Sequence, residues 1–137
     1  MKLNDLIPML SASDVEKSLD FYRDILGFEL DTPESKFEED GTLLWCSIRS
    51  GDVRMMLTAC HTYDADNEDR RVGRGSIVFY YYPDDVMALW QSLKDKGYDV
   101  GETRVTFYQN KEFQMQDPVG HTLWFGQHTD KLATDCE

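Results

Sequence analysis

The chain has 137 residues, of which 41% are hydrophobic and 29% are charged. This composition is that of one folded globular domain, not of a disordered or fibrous protein. No apolar run approaches the roughly 20 residues that span a membrane, and the first residues lack the basic flank and apolar length of a secretory signal. The net charge of −12 disfavours phosphate-rich partners. We expect a cytoplasmic protein that binds neither nucleic acid nor membranes.

The acidic charge and the cysteines leave the specific activity open. Solubility explains 26 acidic side chains against 14 basic ones, and a second explanation is a negative field that concentrates cationic ligands. Cys46, Cys60 and Cys136 are odd in number and have no CxxC spacing. Such cysteines are typical of free thiols in a reducing compartment.

Two helices are predicted. The apolar positions of the first follow the 3.6-residue period of a helix, and they are Val15, Leu19, Tyr22 and Leu26. Ser13 and Glu16 fit a capping box before it, and Gly27 ends it. The second helix follows Asp85 and ends before Gly97. Its inward positions are Val86, Leu89, Trp90 and Leu93.

Each helix is preceded by one short strand and followed by three strands that polar turns separate. The predicted strands cover residues 6–12, 28–31, 43–49, 53–58, 76–82, 104–108, 111–116 and 121–126. The run Asp117-Pro118-Val119-Gly120 has the residue pattern of a type I turn. Residues 61–74 are nearly free of apolar side chains, which predicts an exposed loop.

The two halves repeat the same order of elements. Asp14-Val15 matches Asp85-Val86 at an offset of 71, Gly27 matches Gly97 at 70, and Gly51 matches Gly120 at 69. This near-constant offset indicates a duplicated module. We predict an α+β domain of two tandem βαβββ modules, whose curved mixed sheet lines a cleft and carries the helices on its outer face. The first module covers about 5–60, the loop 61–74, the second module about 75–127, and a C-terminal tail 128–137.

Side chains alternate across a strand, so every strand turns one set of residues away from its helix. The sets that face away combine aromatic and polar groups with methionine. We predict that a small molecule contacts seven of these residues: Trp45, Arg54, Met56, Tyr80, Tyr82, Gln114 and Trp124. The alternative is that this face forms a second core or a contact between subunits.

Two groups of motifs resemble those of the vicinal-oxygen-chelate superfamily, over about residues 5–127. They are Asp14-Val15…Ser18…Phe21-Tyr22…Leu26-Gly27-Phe28 and Glu112-Phe113…Asp117-Pro118-Val119-Gly120…Leu123-Trp124-Phe125. The superfamily includes glyoxalase I, extradiol dioxygenases, fosfomycin-resistance enzymes and bleomycin-resistance proteins. The opening run 7–15, with Pro8, is most similar to the last of these. Proline prefers an edge strand, which favours a first strand beside a partner chain and hence a homodimer.

The resemblance also implies four positions at which the enzymes of the superfamily hold a divalent metal. In this chain those positions are Ile7, Met56, Val78 and Trp124. None of these side chains supplies the oxygen or nitrogen donors that such metals require. We therefore expect no metal ion and no cofactor.

Other residues suggest no catalytic group by their spacing. His61, His121 and His128 fit no metal motif and are predicted to be peripheral. Glu102 and Glu112 are candidates for an acid–base pair, although solvated carboxylates at strand ends are the favoured interpretation. No catalytic residue is assigned.

Three hypotheses follow. The first is a metal-independent protein that binds, and so sequesters, a cationic aromatic compound or antibiotic. The second is a lyase, isomerase or dioxygenase-like enzyme with a relocated or absent metal, for which Glu112, Gln114, Tyr80 and His61 are the first candidates. The third is a protein-interaction module, in which another protein covers the strand face that carries these aromatic residues.

Overall fold

The structure, a computed structural model, describes residues 1–37, 39–59 and 77–132, with backbone alone for 32–37. The predicted loop at 61–74 lies outside the described residues, as do His61, Cys60 and Cys136. The chain divides into two compact units, residues 1–74 and 75–137, which we call module one and module two. In the described part of the chain, no helix is both long and apolar enough to cross a membrane.

Module one is a four-stranded sheet with one helix. Its elements are β1 (Met9–Ala12), α1 (Val15–Leu26), β2 (Glu29–Phe37), β3 (Leu43–Ser50) and β4 (Val53–Ala59). The strand order is β1-β4-β3-β2. The outer strand β1 runs parallel to β4, and the other pairs are antiparallel.

Module two repeats this topology. Its elements are β5 (Val78–Tyr81), α2 (Val86–Asp95), β6 (Arg104–Val105), β7 (Asn110–Gln116) and β8 (Thr122–His128). The order β5-β8-β7-β6 matches that of module one element by element, with β5 parallel to β8. The predicted α+β class and the two βαβββ modules are confirmed.

Both helices begin at an aspartate. The Asp14 and Asp85 carboxylates accept hydrogen bonds from the backbone N–H groups of Lys17 and Ala88, each at 3.0 Å. Asp14 is therefore the N-cap of α1, and the capping box predicted at Ser13 is wrong by one residue. The physical reason is that the carboxylate of Asp14 already satisfies the amide three positions on.

Each sheet packs one face against its helix, as the strand patterns predict. The fully buried side chains of module one include Leu10, Tyr22, Phe28, Cys46, Ile48, Met55 and Leu57. Those of module two include Val86, Leu93, Val105, Phe113, Leu123 and Phe125. In α1, Ile25 is buried while the predicted inward residue Leu26 is half-buried.

Trp90 lies at the side of α2 and not in the core. Its side chain is half-buried, and its indole N–H donates to the Gly101 carbonyl at 2.9 Å. The Lys94 ammonium lies 4.4 Å from the ring centroid. The prediction that Trp90 points inward is therefore correct only in part.

Strand β6 is shorter than predicted, because the chain turns directly after it. The Thr106 carbonyl accepts from the Gln109 N–H at 3.0 Å, and the Thr106 hydroxyl accepts from the Asn110 N–H at 3.1 Å. Gln109 has a φ of +64°, a backbone angle that residues other than glycine rarely adopt. The turn at Asp117 forms as predicted, since the Asp117 carbonyl accepts from the Gly120 N–H at 3.0 Å.

Candidate ligand-binding site

The sheet face of module two that points away from α2 carries four of the predicted site residues. Tyr80 and Gln114 both pair in register with Trp124, from the strands on either side of it. The Tyr80 ring centroid lies 4.9 Å from that of Tyr82 and 6.2 Å from that of Trp124. Tyr82 is 73% exposed. We call Tyr80, Tyr82 and Trp124 the aromatic face.

A buried carboxylate lies beside the aromatic face. Glu112 is 2% exposed, and its Oε2 accepts hydrogen bonds from the Tyr80 hydroxyl at 2.6 Å and from the Tyr108 hydroxyl. Its Oε1 accepts from Arg104 Nη2 at 3.2 Å. The Tyr80 hydroxyl in turn accepts from Asn110 Nδ2 at 2.9 Å. We call these five residues the Glu112 cluster.

The favoured interpretation of Glu112 as a solvated carboxylate is therefore wrong. Strand β7 begins at Asn110, so Glu112 lies within the strand and pairs with Gly126 of β8. Burial of a carboxylate is tolerated because three donors satisfy it. The sequence pattern singled out Glu112 as a candidate but did not predict its environment. No local pattern indicates that the hydroxyl of Tyr80, 32 positions earlier in the chain, donates to it.

Gly126 makes the room that the cluster needs. A Cβ atom at this position would lie 2.1 Å from the Tyr80 hydroxyl oxygen and 2.8 Å from the nearest ring carbons. Any other residue would therefore displace the phenol from Glu112. The signal in the sequence was Gly126 itself. It lies two residues after Trp124 in β8, so it belongs to the same face of the strand.

The environment of the cluster keeps both phenols protonated. Burial, followed by the hydrogen bond to Glu112, raises the pKa of Tyr80 well above its ordinary value of 10.0. The same two causes raise the pKa of Tyr108. At neutral pH the tyrosines therefore act as hydrogen-bond donors to the carboxylate and not as anions.

Trp124 holds a further polar atom at this face. Its indole nitrogen is buried and, within the described residues, has no hydrogen-bond partner. Buried donors without a partner are rare in folded proteins and call for an explanation. Trp124 therefore belongs to the aromatic face and also carries an indole N–H that donates to none of the described residues.

The predicted site residues of module one lie on the corresponding face of their own sheet. Trp45 and Met56 are half-buried. Arg54 is ion-paired, with Nη2 at 2.8 Å from Asp5 Oδ2 and Nη1 at 3.9 Å from Asp31 Oδ2. Arg54 is therefore already neutralised by neighbouring carboxylates, and its part in ligand binding stays a prediction.

The residues at the four implied metal positions do not fit a divalent ion. Ile7 and Met56 in module one, and Val78 and Trp124 in module two, bring no carboxylate, imidazole or amide oxygen. Across the described ranges, no three His, Cys, Asp or Glu side chains come together as a metal-binding group. His121 is half-buried and His128 is exposed, in keeping with the peripheral positions predicted for them.

Comparisons with known proteins agree with the fold. The family described as the glyoxalase/bleomycin resistance protein/dioxygenase superfamily matches residues 6–125. A lactoylglutathione lyase from Neisseria meningitidis is 28% identical over 132 residues, which cover 87% of this chain and 86% of that protein.

Two solved structures show the same fold at low sequence identity. A glyoxalase-related enzyme from Clostridium phytofermentans has a TM-score of 0.73 at 14% identity and covers 94% of this chain and 98% of its own. A bleomycin-binding protein complexed with bleomycin has a TM-score of 0.62 at 17% identity and covers 93% and 100%. The match to the family spans nearly the whole chain, and the chain therefore belongs to the glyoxalase/bleomycin resistance protein/dioxygenase superfamily.

Proposed function

We propose that this protein binds a small aromatic compound on the aromatic face of module two, without a metal ion, and so sequesters it. The observation that carries the proposal is the joint presence of Tyr80, Tyr82 and Trp124 beside the buried carboxylate of Glu112. An apolar surface with a few fixed polar groups is what small-molecule sites generally offer.

The aromatic face offers the contacts that planar ligands use. A ring stacked on a tyrosine or tryptophan gains about 0.5–1.5 kcal/mol beyond the area it buries. A cationic group over such a ring gains about 0.5–2 kcal/mol. The net charge of −12 favours the approach of cations to the protein. A cationic aromatic compound, as some antibiotics are, therefore suits this face best.

The lyase activity named for the Neisseria relative is not proposed for this chain. The enzymes of the superfamily hold their metal at four positions, and here those positions carry Ile7, Met56, Val78 and Trp124. Without donors at any of them, a divalent metal has no site of the family's kind. Binding lowers no reaction barrier, so it does not need the missing groups.

One observation favours a second candidate, an enzyme that uses side-chain acid–base chemistry. A buried carboxylate hydrogen-bonded to two phenols, as Glu112 is to Tyr80 and Tyr108, is an arrangement that can accept and return a proton. The two candidates differ in what happens to the bound compound. Mass spectrometry of the ligand recovered after incubation returns it unchanged from a binding protein and altered from an enzyme.

The proposal is tested by titrating the intact protein with metal-free bleomycin and other cationic aromatic antibiotics in excess chelator, while following tryptophan fluorescence. We expect a saturable change for at least one compound. The Trp90→Phe variant retains that change, because Trp90 lies at the side of α2. The Trp124→Phe variant loses most of it. No response to any compound, or a response that only Trp90→Phe removes, contradicts the proposal.

A further inference from the structure

Tyr82 is the most exposed ring of the aromatic face. It is 73% exposed, whereas Tyr80 and Trp124 are half-buried, and its ring centroid lies 4.9 Å from that of Tyr80. We infer that Gln127 is a positioning residue for ligand binding, because its amide fixes the segment that carries Tyr82 before a ligand arrives. This inference rests on the proposed function, in which Tyr82 contacts the ligand.

The Gln127 side chain makes two hydrogen bonds to the turn between β5 and α2. Its Nε2 donates to the Asp84 carbonyl at 2.6 Å, and its Oε1 accepts from the Val86 N–H at 2.9 Å. One amide therefore ties two backbone groups of the turn to strand β8, in which Gln127 lies. We call these two hydrogen bonds the Gln127 clamp.

The Gln127 clamp holds the segment of Tyr82 at one end, while the sheet holds it at the other. Strand β5 ends one residue before Tyr82 and pairs in register with β8 up to that point. Pro83, the next residue, has a restricted φ and favours extended backbone at Tyr82. The segment then reaches Asp84, whose carbonyl accepts from Gln127. Both ends of residues 82–84 are therefore tied to β8.

Module one provides a comparison within the same chain. The residue four positions before the helix-capping aspartate pairs with Leu57 in module one and with Phe125 in module two. Two residues farther along these strands lie Ala59 and Gln127. Ala59 therefore occupies in module one the position that Gln127 occupies in module two.

The start of a helix does not require the Gln127 clamp. Ala59 has no side-chain donor or acceptor, yet Asp14 begins α1 with φ −132° and ψ 95°, close to the −142° and 96° of Asp85. The residue that corresponds to Tyr82 in module one is Ser11, three positions before its capping aspartate. The clamp thus occurs in the module that exposes a ring at this position, which supports a role in holding that ring.

Fixing Tyr82 in advance raises the affinity for a ligand. An exposed aromatic side chain that moves freely must be immobilised when a ligand stacks on it, and this immobilisation costs binding free energy. The Gln127 clamp removes part of that cost, because the backbone that carries the ring is already held. Loss of the clamp should therefore weaken binding without removing any group that contacts the ligand.

The test titrates 1-(aminomethyl)naphthalene, a cationic aromatic probe, into the ¹⁵N-labelled full chain and reads dissociation constants from chemical shifts. Gln127→Met keeps the length of the side chain and removes both hydrogen bonds, and we expect it to weaken binding about three- to tenfold. In the free protein, the nuclear Overhauser effect between the Tyr80 and Tyr82 rings should fall. Gln91→Met is the matched control, since Gln91 donates to Asp95 within α2 at 2.9 Å, and it changes neither quantity.

Gln127→Glu separates the two hydrogen bonds of the clamp. The ionised carboxylate still accepts from the Val86 N–H, where a negative charge suits the start of a helix, but it cannot donate to the Asp84 carbonyl. We expect the same weakening as in Gln127→Met. The added charge attracts the cationic probe, so weaker binding by this variant reports the lost hydrogen bond and not the charge.

A double variant tests whether the effect passes through Tyr82. Tyr82→Ala removes the ring, and adding Gln127→Met to it should weaken binding by less than about twofold further. A general structural role of Gln127 would instead give the same factor with and without the ring.

The outcomes separate this inference from the proposed function. Three results overturn the inference alone: equal affinities of Gln127→Met and the unmodified protein, full affinity of Gln127→Glu, or the same loss with and without the Tyr82 ring. No binding of the probe by the unmodified protein contradicts the proposed function, and with it the effect of the clamp on affinity. The nuclear Overhauser effect needs no ligand and still decides whether Gln127 holds Tyr82: a reduced effect in Gln127→Met supports it, and an unchanged effect overturns it.

Discussion

The lack of a side chain at Gly126 determines the geometry of the site, because the Tyr80 phenol occupies the space that a Cβ atom would fill. We predict that Gly126→Ala destabilises the protein by about 1–3 kcal/mol, the usual effect of forcing atoms into a filled space. The reason is that the new Cβ would lie 2.1 Å from the Tyr80 hydroxyl, which must then leave Glu112. Urea denaturation followed by circular dichroism measures the change.

The matched control is Gly101→Ala, in which the nearest atom to the new Cβ is the Gln114 carbonyl oxygen at 3.3 Å. We expect a smaller loss there, because a shift of a few tenths of an ångström relieves the contact. If the two alanine variants unfold at the same urea concentration, the Tyr80 phenol does not occupy the space above Gly126.

Individual residues also show where sequence reasoning stops. Alternation along β5 and β8 correctly placed Tyr80, Tyr82 and Trp124 on one face, because the period of a strand is two wherever it runs. The role of Glu112 was not predictable in this way. Its burial depends on a hydroxyl from another strand and on the missing side chain of Gly126, neither of which a local pattern contains.

At the scale of elements, the aspartates that begin the two helices should matter equally. We predict that Asp14→Ala and Asp85→Ala each lower the free energy of unfolding by about 1 kcal/mol, since each carboxylate accepts a backbone N–H at 3.0 Å. Thermal or urea unfolding of the two variants provides the measurement.

Ser13→Ala is the control for the first helix. The sequence pattern assigned the cap to Ser13 with Glu16, whereas the structure gives it to Asp14. We therefore expect Ser13→Ala to change stability by less than about 0.5 kcal/mol. A larger loss from Ser13→Ala than from Asp14→Ala would restore the capping box.

Element boundaries separate what patterns can predict from what they cannot. The existence and order of both helices and of the strands followed from apolar periodicity and from the repeated Asp-Val and glycine landmarks. The end of β6 did not, because the sequence pattern predicts a strand over residues 104–108. In the structure the strand ends at Val105, before a turn in which Gln109 has a positive φ. That turn depends on hydrogen bonds that the Gln109 side chain donates to the carbonyls of Thr129 and Lys131, some 20 positions away.

At the scale of the whole molecule, the buried thiol of Cys46 and the half-buried phenols of Tyr80 and Tyr81 make stability fall at alkaline pH. Burial raises the pKa of Cys46 from 9.0 to about 11. Burial also raises the pKa of Tyr80 and Tyr81 well above 10.0, with the Glu112 hydrogen bond and the Asp117 charge as second causes. The unfolded chain therefore loses these protons at lower pH than the folded protein does, and ionisation favours unfolding.

We predict that the free energy of unfolding is unaffected by these groups below about pH 9, falls between about pH 9 and 11 through Cys46, and falls further above pH 10 through the tyrosines. Urea denaturation at a series of pH values measures it. Cys46→Ala should remove the part of the fall that begins near pH 9 and leave the tyrosine part. A free energy of unfolding that stays flat up to pH 11 contradicts the raised pKa values of all three groups.

Assembly stays a prediction at this scale. Pro8, just before the edge strand β1, favours a homodimer, and sedimentation of the intact chain decides between one copy and two.

The chain belongs to the glyoxalase/bleomycin resistance protein/dioxygenase superfamily. The residues at the four metal positions that the resemblance implies, however, bring no carboxylate, imidazole or amide oxygen. The family therefore accounts for the fold, and the chemistry must be argued from this chain.

The most direct measurement is a fluorescence titration of the variant Trp45→Phe/Trp90→Phe, in which Trp124 is the remaining tryptophan. The titrant is the tightest-binding compound of the antibiotic panel, in excess chelator. We predict a saturable change in emission with the dissociation constant of the unmodified protein, because the ligand lies on the aromatic face and needs no metal. Unchanged Trp124 emission, while calorimetry shows that the compound binds, or binding that appears only when a divalent metal is restored, would contradict the account.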